Sequence, residues 1–265
     1  MKQIKKSILG LALTLFFLPT LGMAEHIWMG LFSKDTPYTE QTFVAKKHLN
    51  NLNDEIEKEW ANGFMITDIE YGYDMWMATL SKGTGYTNQV YVKNRDWKKF
   101  QASIGGHLDN GFTLINVEYG KGTWVAILVK GSSYREGRYD VVRYWEDFPK
   151  KVTQRWKEGY HLIDVEPADG KWVAVFVKNT GFTDQAYNSV DNWEVLDIVI
   201  KRRWDKGYRL LNSEYGDGRW FAIFVKDKNR KGETYVRMKR LSGFKKSIAQ
   251  YWKKGFNLID LSEGR

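Results

Sequence analysis

The chain has 265 residues, no cysteine and a formal net charge of +9. The lack of cysteine excludes disulfides, thiolate metal sites and cysteine nucleophiles. The positive charge is modest and spread along the chain, so it indicates no particular class of partner. Aromatic residues make up 15% of the sequence, which predicts a bulky aromatic core or an aromatic binding surface.

Residues 1–24 have the pattern of a secretory signal peptide. A basic head is followed by the apolar segment "ILGLALTLFFLPTLG", and Gly22 and Ala24 are the small residues that a signal peptidase recognises. No other long apolar run exists, so we predict no membrane span in the mature chain. The protein is therefore expected to be exported, either periplasmic or secreted, with residues 25–265 as one domain.

That domain repeats with a period of 48 residues. One tryptophan recurs at this spacing, at Trp28, Trp76, Trp124, Trp172 and Trp220. One glycine recurs in the same way, at Gly63, Gly111, Gly159, Gly207 and Gly255. Five repeats, at about 26–74, 75–122, 123–170, 171–218 and 219–265, fill the domain and leave no room for a second one.

Each repeat opens with a strand such as Trp172–Lys178, which is apolar on both alternating faces. A strand with this pattern is buried on both faces. A polar loop with glycine follows, and then a short strand that ends near an aromatic residue. We interpret the loop as a hairpin-like turn between these two strands.

A helix and a last strand complete the repeat. Trp193, Leu196 and Ile200 lie on one face of a predicted helix. Gly207 follows the helix, at the place where a glycine in the left-handed conformation ends it. The strand that comes next, "YRLLNSEYG", makes the unit β-β-α-β.

One such unit cannot bury its helix stripe and both strand faces, so neighbouring units must cover them. The first and last repeats keep their apolar residues, which favours closure over an open solenoid with exposed edges. We predict an α/β fold that is a closed five-fold propeller of ββαβ repeats, with strands toward the axis and helices outside. This pattern resembles the pentein architecture. The alternative is a five-bladed β-propeller with helical insertions.

The repeated text also resembles a known family. "SKGTGYTNQVYV" (81–92) occurs together with Trp-x-x-Gly-aromatic at 60–64, 156–160 and 204–208. This combination is similar to the repeat region that follows the kinase domain in plant casein-kinase-I-like kinases, a domain of unknown function that is also seen as free-standing bacterial proteins. The resemblance implies a repeat fold and an interaction module. No kinase activity is implied, because the nucleotide loop, the His-Arg-Asp segment and the Asp-Phe-Gly segment are missing.

Some repeats depart from this pattern. The second repeat has Leu108 in place of the helix tryptophan, and the third has Gly137 in place of a glutamine. The fifth has Arg230 in place of an aromatic residue and Glu233 in place of the glutamine. The third and fifth units are therefore expected to lack whatever the loop segment does.

Three recurring residue types form the candidate ligand-binding site. The lysines end the opening strands: Lys34, Lys82, Lys130, Lys178 and Lys226. In a closed ring they would share one rim and create a positive potential, which would suit an anionic small molecule, a polymer or an acidic protein surface. Alternatively, each lysine pairs with a recurring carboxylate, such as Asp68 or Glu70, and holds the repeats in register.

The other two types lie close to the lysines in sequence. The aromatic residues are Tyr38, Tyr86, Tyr134 and Phe182, which either stack on a ligand or fill the gap between repeats. The glutamines are Gln41, Gln89 and Gln185, which we expect to hydrogen-bond the loop backbone.

Catalysis has little support in the sequence. The four histidines do not recur, and neither a zinc-protease motif nor a serine nucleophile elbow is found. We predict no catalytic residue, no metal ligand and no cofactor. The expected function is a monomeric, exported, non-enzymatic binding module that does not engage nucleic acid. The alternative is a hydrolase or lyase that acts on an extracellular polymer with carboxylates as acid and base.

Overall fold

A computed structural model of the chain describes residues 26–265. The predicted signal peptide, residues 1–24, lies outside the described residues. The first two repeats contain β1 (Ile27–Ser33), β2 (Gln41–Lys46), α1 (Leu49–Ala61), β3 (Met65–Gly72), β4 (Met75–Ser81), β5 (Asn88–Asn94), α2 (Trp97–Asp109) and β6 (Thr113–Gly120). The remaining elements are β7 (Thr123–Lys130), β8 (Arg135–Val142), α3 (Phe148–Lys157), β9 (His161–Ala168), β10 (Lys171–Lys178), β11 (Asp184–Val190), α4 (Trp193–Asp205), β12 (Arg209–Gly216), β13 (Arg219–Lys226), β14 (Glu233–Met238), α5 (Leu241–Lys253) and β15 (Asn257–Gly264).

The fifteen strands found in residues 26–265 form five antiparallel sheets of three strands each. Their strand orders are β2–β4–β3, β5–β7–β6, β8–β10–β9, β11–β13–β12 and β14–β1–β15. The middle strand of each sheet is the opening strand of a repeat, and it is buried along nearly its whole length. The predicted α/β class and the burial of these strands on both faces are confirmed.

The hairpin-like turn predicted between the first two strands of a repeat is wrong. Strand β4 pairs with β2 and β3, whereas β5 pairs with β7 of the next sheet. The loop at 82–87 therefore carries the chain from one sheet to the next. The tight hairpin joins β3 to β4 instead, where Tyr73 and Asp74 have φ angles of 45° and 63°. Two positive φ angles match the twist of the flanking strands, which explains why the turn is at this place.

The opening strand of the chain lies in the same sheet as the last two strands. Strand β1 pairs with β14 on one side, with Leu31 opposite Tyr235, and with β15 on the other, with Leu31 opposite Asp260. The last strand of each repeat is called an inner strand here, because these strands contact one another. Their contacts follow the order β3–β6–β9–β12–β15–β3.

The helices pack one face on the sheets and end as the glycine pattern predicts. In α4, Trp193, Leu196 and Ile200 are buried in one apolar cluster with Trp220 of β13. The five recurring glycines all have positive φ, between 76° and 83°. At the first of them, the N–H of Gly63 donates to the Trp60 carbonyl and the N–H of Phe64 donates to the Glu59 carbonyl. This is the Schellman arrangement, so the predicted glycine caps are confirmed.

Candidate functional site

Each recurring lysine lies over the aromatic ring that follows a helix-capping glycine, which in four of the five cases belongs to a Trp-x-x-Gly-aromatic segment. The ammonium nitrogen is 4.6 Å from the ring centroid in the pairs of Lys82 with Phe64 and Lys178 with Tyr160. The same contact is made by the pairs Lys34–Phe256, Lys130–Phe112 and Lys226–Tyr208 at 4.6 to 4.7 Å. A cation over a ring face is attracted by the ring quadrupole, so these contacts help to fix the loop against the end of the helix.

Three of these lysines also form ion pairs, but not with the carboxylates that the sequence suggested. Lys82 pairs with Glu40 at 3.0 Å and Lys178 with Glu136 at 2.7 Å. Lys226 pairs with Asp184 at 3.5 Å. The partners lie just before or at the start of the second strand of each repeat, whereas the inner-strand carboxylates are buried elsewhere. Local pairing is therefore found, but its partners are not the inner-strand carboxylates that the sequence suggested.

The recurring glutamines hold the start of an inner strand. Gln89 is buried, and its side-chain oxygen accepts from the Trp60 indole N–H at 2.9 Å and from the Ile66 N–H at 2.7 Å. Its amide nitrogen donates to the Ile66 carbonyl at 2.8 Å. Gln41 and Gln185 make the same three bonds, with Trp252 and Leu258 and with Trp156 and Leu162. The glutamines therefore bond backbone groups as predicted, but those of the inner strands and not those of the loop, and the indole partner is new.

Two departures from the repeat belong to one contact. Gly137 stands where the glutamine would be, and a Cβ atom there would lie 3.3 Å from the Leu114 nitrogen. Leu108 stands where the partner tryptophan would be. The chain has thus lost both members of the indole–amide pair at the same place.

The fifth repeat rebuilds the contact with other residues. Arg230 donates to the Leu210 carbonyl at 2.8 Å and to Glu233 at 2.6 Å. This replaces the amide bond to the inner strand, which explains why the aromatic residue is absent at position 230. The Trp204 indole nitrogen is left without a partner.

The recurring aromatic residues line a single cavity. Tyr38, Tyr86, Tyr134 and Phe182 surround a space of about 570 Å³, with Arg230 at the fifth equivalent position. None of the five recurring lysines lines it. Burial raises the pKa of the Tyr86 hydroxyl well above its usual range, and the neighbouring hydroxyls of Tyr38 and Tyr134 raise it further. The three hydroxyls therefore converge on the same space.

The floor of this cavity is a layer of acids and amides from the inner strands. We call it the Asp/Asn layer; its members are Asp68, Asn116, Asp164, Asn212 and Asp260. All five are buried. Asp164 accepts from the Val117 N–H at 2.8 Å and from the Asn116 and Asn212 amides at 3.2 and 3.4 Å.

The carboxyl groups of this layer have raised pKa values. Burial raises the pKa of Asp164 to about 8, although the Val117 N–H acts in the opposite direction. Burial raises the pKa of Asp260 to about 7, and hydrogen bonds from Ser213 oppose this shift. Burial and the charges of Asp260 and Asp164 raise the pKa of Asp68 well above its usual range. Buried like charges of this kind favour a proton or a bound cation.

A second layer lies two residues further along the same strands. We call it the Glu layer; its members are Glu70, Glu118, Glu166 and Glu214. Ser262 takes the fifth position and is also buried. Burial raises the pKa of all four glutamates, and the other glutamates add to the shift for Glu70, Glu118 and Glu214. Sequence reasoning noted the recurring acids but missed that they meet; the signal was an acid pair spaced by two on a largely apolar strand.

Across residues 26–265, no helix is both long and apolar enough to span a membrane. Comparison with curated proteins gives no significant match. Residues 19–265 match the family model described as Domain of unknown function (DUF7477). Because this match spans most of the chain, the protein belongs to the DUF7477 family.

Proposed function

We propose that the five repeats close into a five-fold propeller around the inner strands. Two observations support closure: β1 completes a sheet with β14 and β15, and the contacts of the inner strands return from β15 to β3. A circular permutant that joins Arg265 to His26 and opens the β9–β10 hairpin between Asp169 and Gly170 tests this. It is expected to unfold in one cooperative transition, as the parent does, and a permutant that fails to fold would count against closure.

The protein is proposed to be a binding module whose ligand is a small organic cation in the central cavity. The observation that carries this is the placement of four aromatic rings around a floor with three carboxyl groups. Aromatic faces attract ammonium groups, and carboxylates attract them by charge and form charge-assisted hydrogen bonds with those that carry N–H groups. The volume of about 570 Å³ is in the range of small-molecule sites.

An anionic ligand at the lysine rim has less support. Three of the five rim lysines already have a carboxylate partner, and all five lie on aromatic rings. Their charge is therefore largely compensated within the chain. Anion binding at the lysine rim remains a prediction, and a substitution of a rim lysine serves as the control for substitutions in the cavity.

Isothermal titration calorimetry with choline, butylammonium and inorganic polyphosphate separates the two sites. We expect an ammonium ligand to bind the parent protein, and Asp164→Asn and Tyr86→Leu to raise its Kd at least tenfold. Lys82→Gln is the matched control and should leave this Kd within twofold. If only polyphosphate binds, and Lys82→Gln abolishes this binding, the ligand site is the lysine rim and not the cavity.

A hydrolase or lyase is the second candidate, because one observation favours it. Burial raises the pKa values of two carboxyl groups in the cavity toward neutral, to about 8 for Asp164 and about 7 for Asp260, and general acid–base catalysis uses groups in this range. The test is turnover of cationic or neutral polysaccharides by the parent and by Asp164→Asn. Turnover that disappears in the variant, with ligand binding retained, would establish the enzyme.

Export and partner interaction complete the proposal. Residues 1–24 are proposed to direct export, and N-terminal sequencing of the mature protein should then begin at Glu25.

The resemblance to the region that follows the kinase domain of plant casein-kinase-I-like kinases supports a role in interaction rather than phosphoryl transfer. We propose that the exported form is a monomer, which sedimentation velocity can check.

A further inference from the structure

The Glu layer is a buried group of acids without a counter-charge. Each of its four glutamates is at most 6% exposed. Among residues 26–265, none of them forms an ion pair with a lysine, arginine or histidine. Buried carboxylates are strongly destabilising unless they are paired, hold a proton or coordinate a metal.

Several buried oxygens of the Glu layer and of the Asp/Asn layer lack a hydrogen-bond partner. One carboxylate oxygen of Glu70 and one of Glu118 are buried and unpaired. The side-chain oxygens of Asn116 and Asn212 are unpaired as well, and each of these residues is 5% exposed. The Asn212 amide nitrogen donates to Glu214 at 3.3 Å, so the unpaired oxygen of the same amide lies close to the Glu layer. All four unpaired atoms are acceptors, and the inner strands offer them no donor.

The geometry of the carboxylates fits one ion. Ligand oxygens from Glu70, Glu118 and Glu214 all lie within 4.8 Å of one another. Two opposite Ca²⁺–oxygen bonds of about 2.4 Å span roughly this distance. The three oxygens can therefore contact the same ion from different sides.

The donor set selects the kind of metal. Carboxylate and amide oxygens, without nitrogen or sulfur ligands, suit hard cations such as Ca²⁺ and Mg²⁺. Mg²⁺ gives up its water reluctantly and usually keeps several water ligands, whereas Ca²⁺ accepts many protein oxygens in flexible geometry. A buried site lined by protein oxygens therefore favours Ca²⁺.

We propose that Glu70, Glu118 and Glu214 bind one Ca²⁺ ion between the inner strands, beneath the floor of the ligand cavity. The ion offsets two of the three carboxylate charges and links strands from three different repeats. This proposal is independent of the ligand in the cavity above it.

Equilibrium dialysis of the chelator-treated parent protein against Ca²⁺ measures the stoichiometry, and we expect one ion per chain. Thermal unfolding should shift to higher temperature with Ca²⁺ and much less with Mg²⁺. Glu118→Gln is expected to weaken Ca²⁺ binding at least tenfold. Glu40→Gln removes an exposed carboxylate and is the matched control, which should bind within twofold of the parent.

A second readout separates lost ligation from a fold defect. Without metal, Glu118→Gln should unfold at the same temperature as the metal-free parent or at a higher one, because the substitution removes a buried like charge. Its Ca²⁺-dependent shift should nevertheless be lost. If the parent binds no Ca²⁺, or if Glu118→Gln binds it as well as the parent does, the site does not exist.

Discussion

The contact between Gln89 and Trp60 gives the sharpest stability prediction, because both partners are replaced at the equivalent positions of the next repeat. Gln89 makes three hydrogen bonds of 2.7 to 2.9 Å, one to the indole and two to the backbone of Ile66. Leu108 and Gly137 occupy the equivalent positions one repeat later, where neither partner is present.

Gln89→Ala removes all three bonds and leaves buried backbone groups without partners. A hydrogen bond contributes about 0.5 to 1.5 kcal/mol net, so the expected loss is about 3 kcal/mol of unfolding free energy. Trp60→Leu removes one of these bonds and the packing of the indole, which costs about 2 to 4 kcal/mol. The two losses share the indole–amide bond, so the double variant should lose about 1 kcal/mol less than the sum.

Urea denaturation of the parent, both single variants and the double variant measures this coupling. Gln154→Ala, on the exposed face of α3, is the control and should change the unfolding free energy by less than about 0.5 kcal/mol. Additive losses in the double variant would show that the indole and the amide do not stabilise each other. The paired absence at Leu108 and Gly137 would then be a coincidence.

Three further predictions concern the caps, an ion pair and pH. Gly159 has φ of 81° with free space around it, so Gly159→Ala should cost about 1 to 2 kcal/mol in urea denaturation, whereas Gly106→Ala inside α2 should stabilise by about 0.5 to 1 kcal/mol. Asp140→Asn weakens the two bonds of 2.5 and 2.7 Å from Arg155. It should reduce the unfolding free energy by about 1 to 3 kcal/mol, which a lower melting temperature would show. The folded protein holds a proton on Asp164 up to about pH 8, against 3.8 for the ordinary carboxyl, so the unfolding free energy should fall as pH rises from about 4 to 8 with chelator present, and less steeply in Asp164→Asn. A stable Gly159→Ala, an unchanged Asp140→Asn or a flat pH profile would each contradict the corresponding reasoning.

The sequence predicts the elements of this fold better than their pairing. The recurring glycines predict where every helix ends, because the left-handed conformation at a helix end strongly favours glycine. Gly63 and its equivalents all have this conformation. The predicted pairing of β4 with β5 was wrong, because β4 is flanked by two loops and either could have formed a hairpin. The turn at Tyr73 and Asp74 is shorter and forms it, while the longer loop after Ser81 crosses to the next sheet.

The candidate site was harder to predict, because it depends on which strands meet. Lys82 and Tyr86 are four residues apart in sequence, yet the lysine lies over Phe64 and the tyrosine lines the cavity. The acids equivalent to Asp164 and Glu166 recur in three and four of the five repeats. Only the contacts between inner strands show that these acids share one centre with those of other repeats.

The site itself can be tested most directly by a crystal structure of the protein grown with choline and inorganic polyphosphate together. We expect the ammonium ligand in the central cavity, between the rings of Tyr38 and Tyr86 and above Asp164. An empty cavity with polyphosphate bound at Lys82 and Lys178 would contradict the central site and place the ligand at the lysine rim.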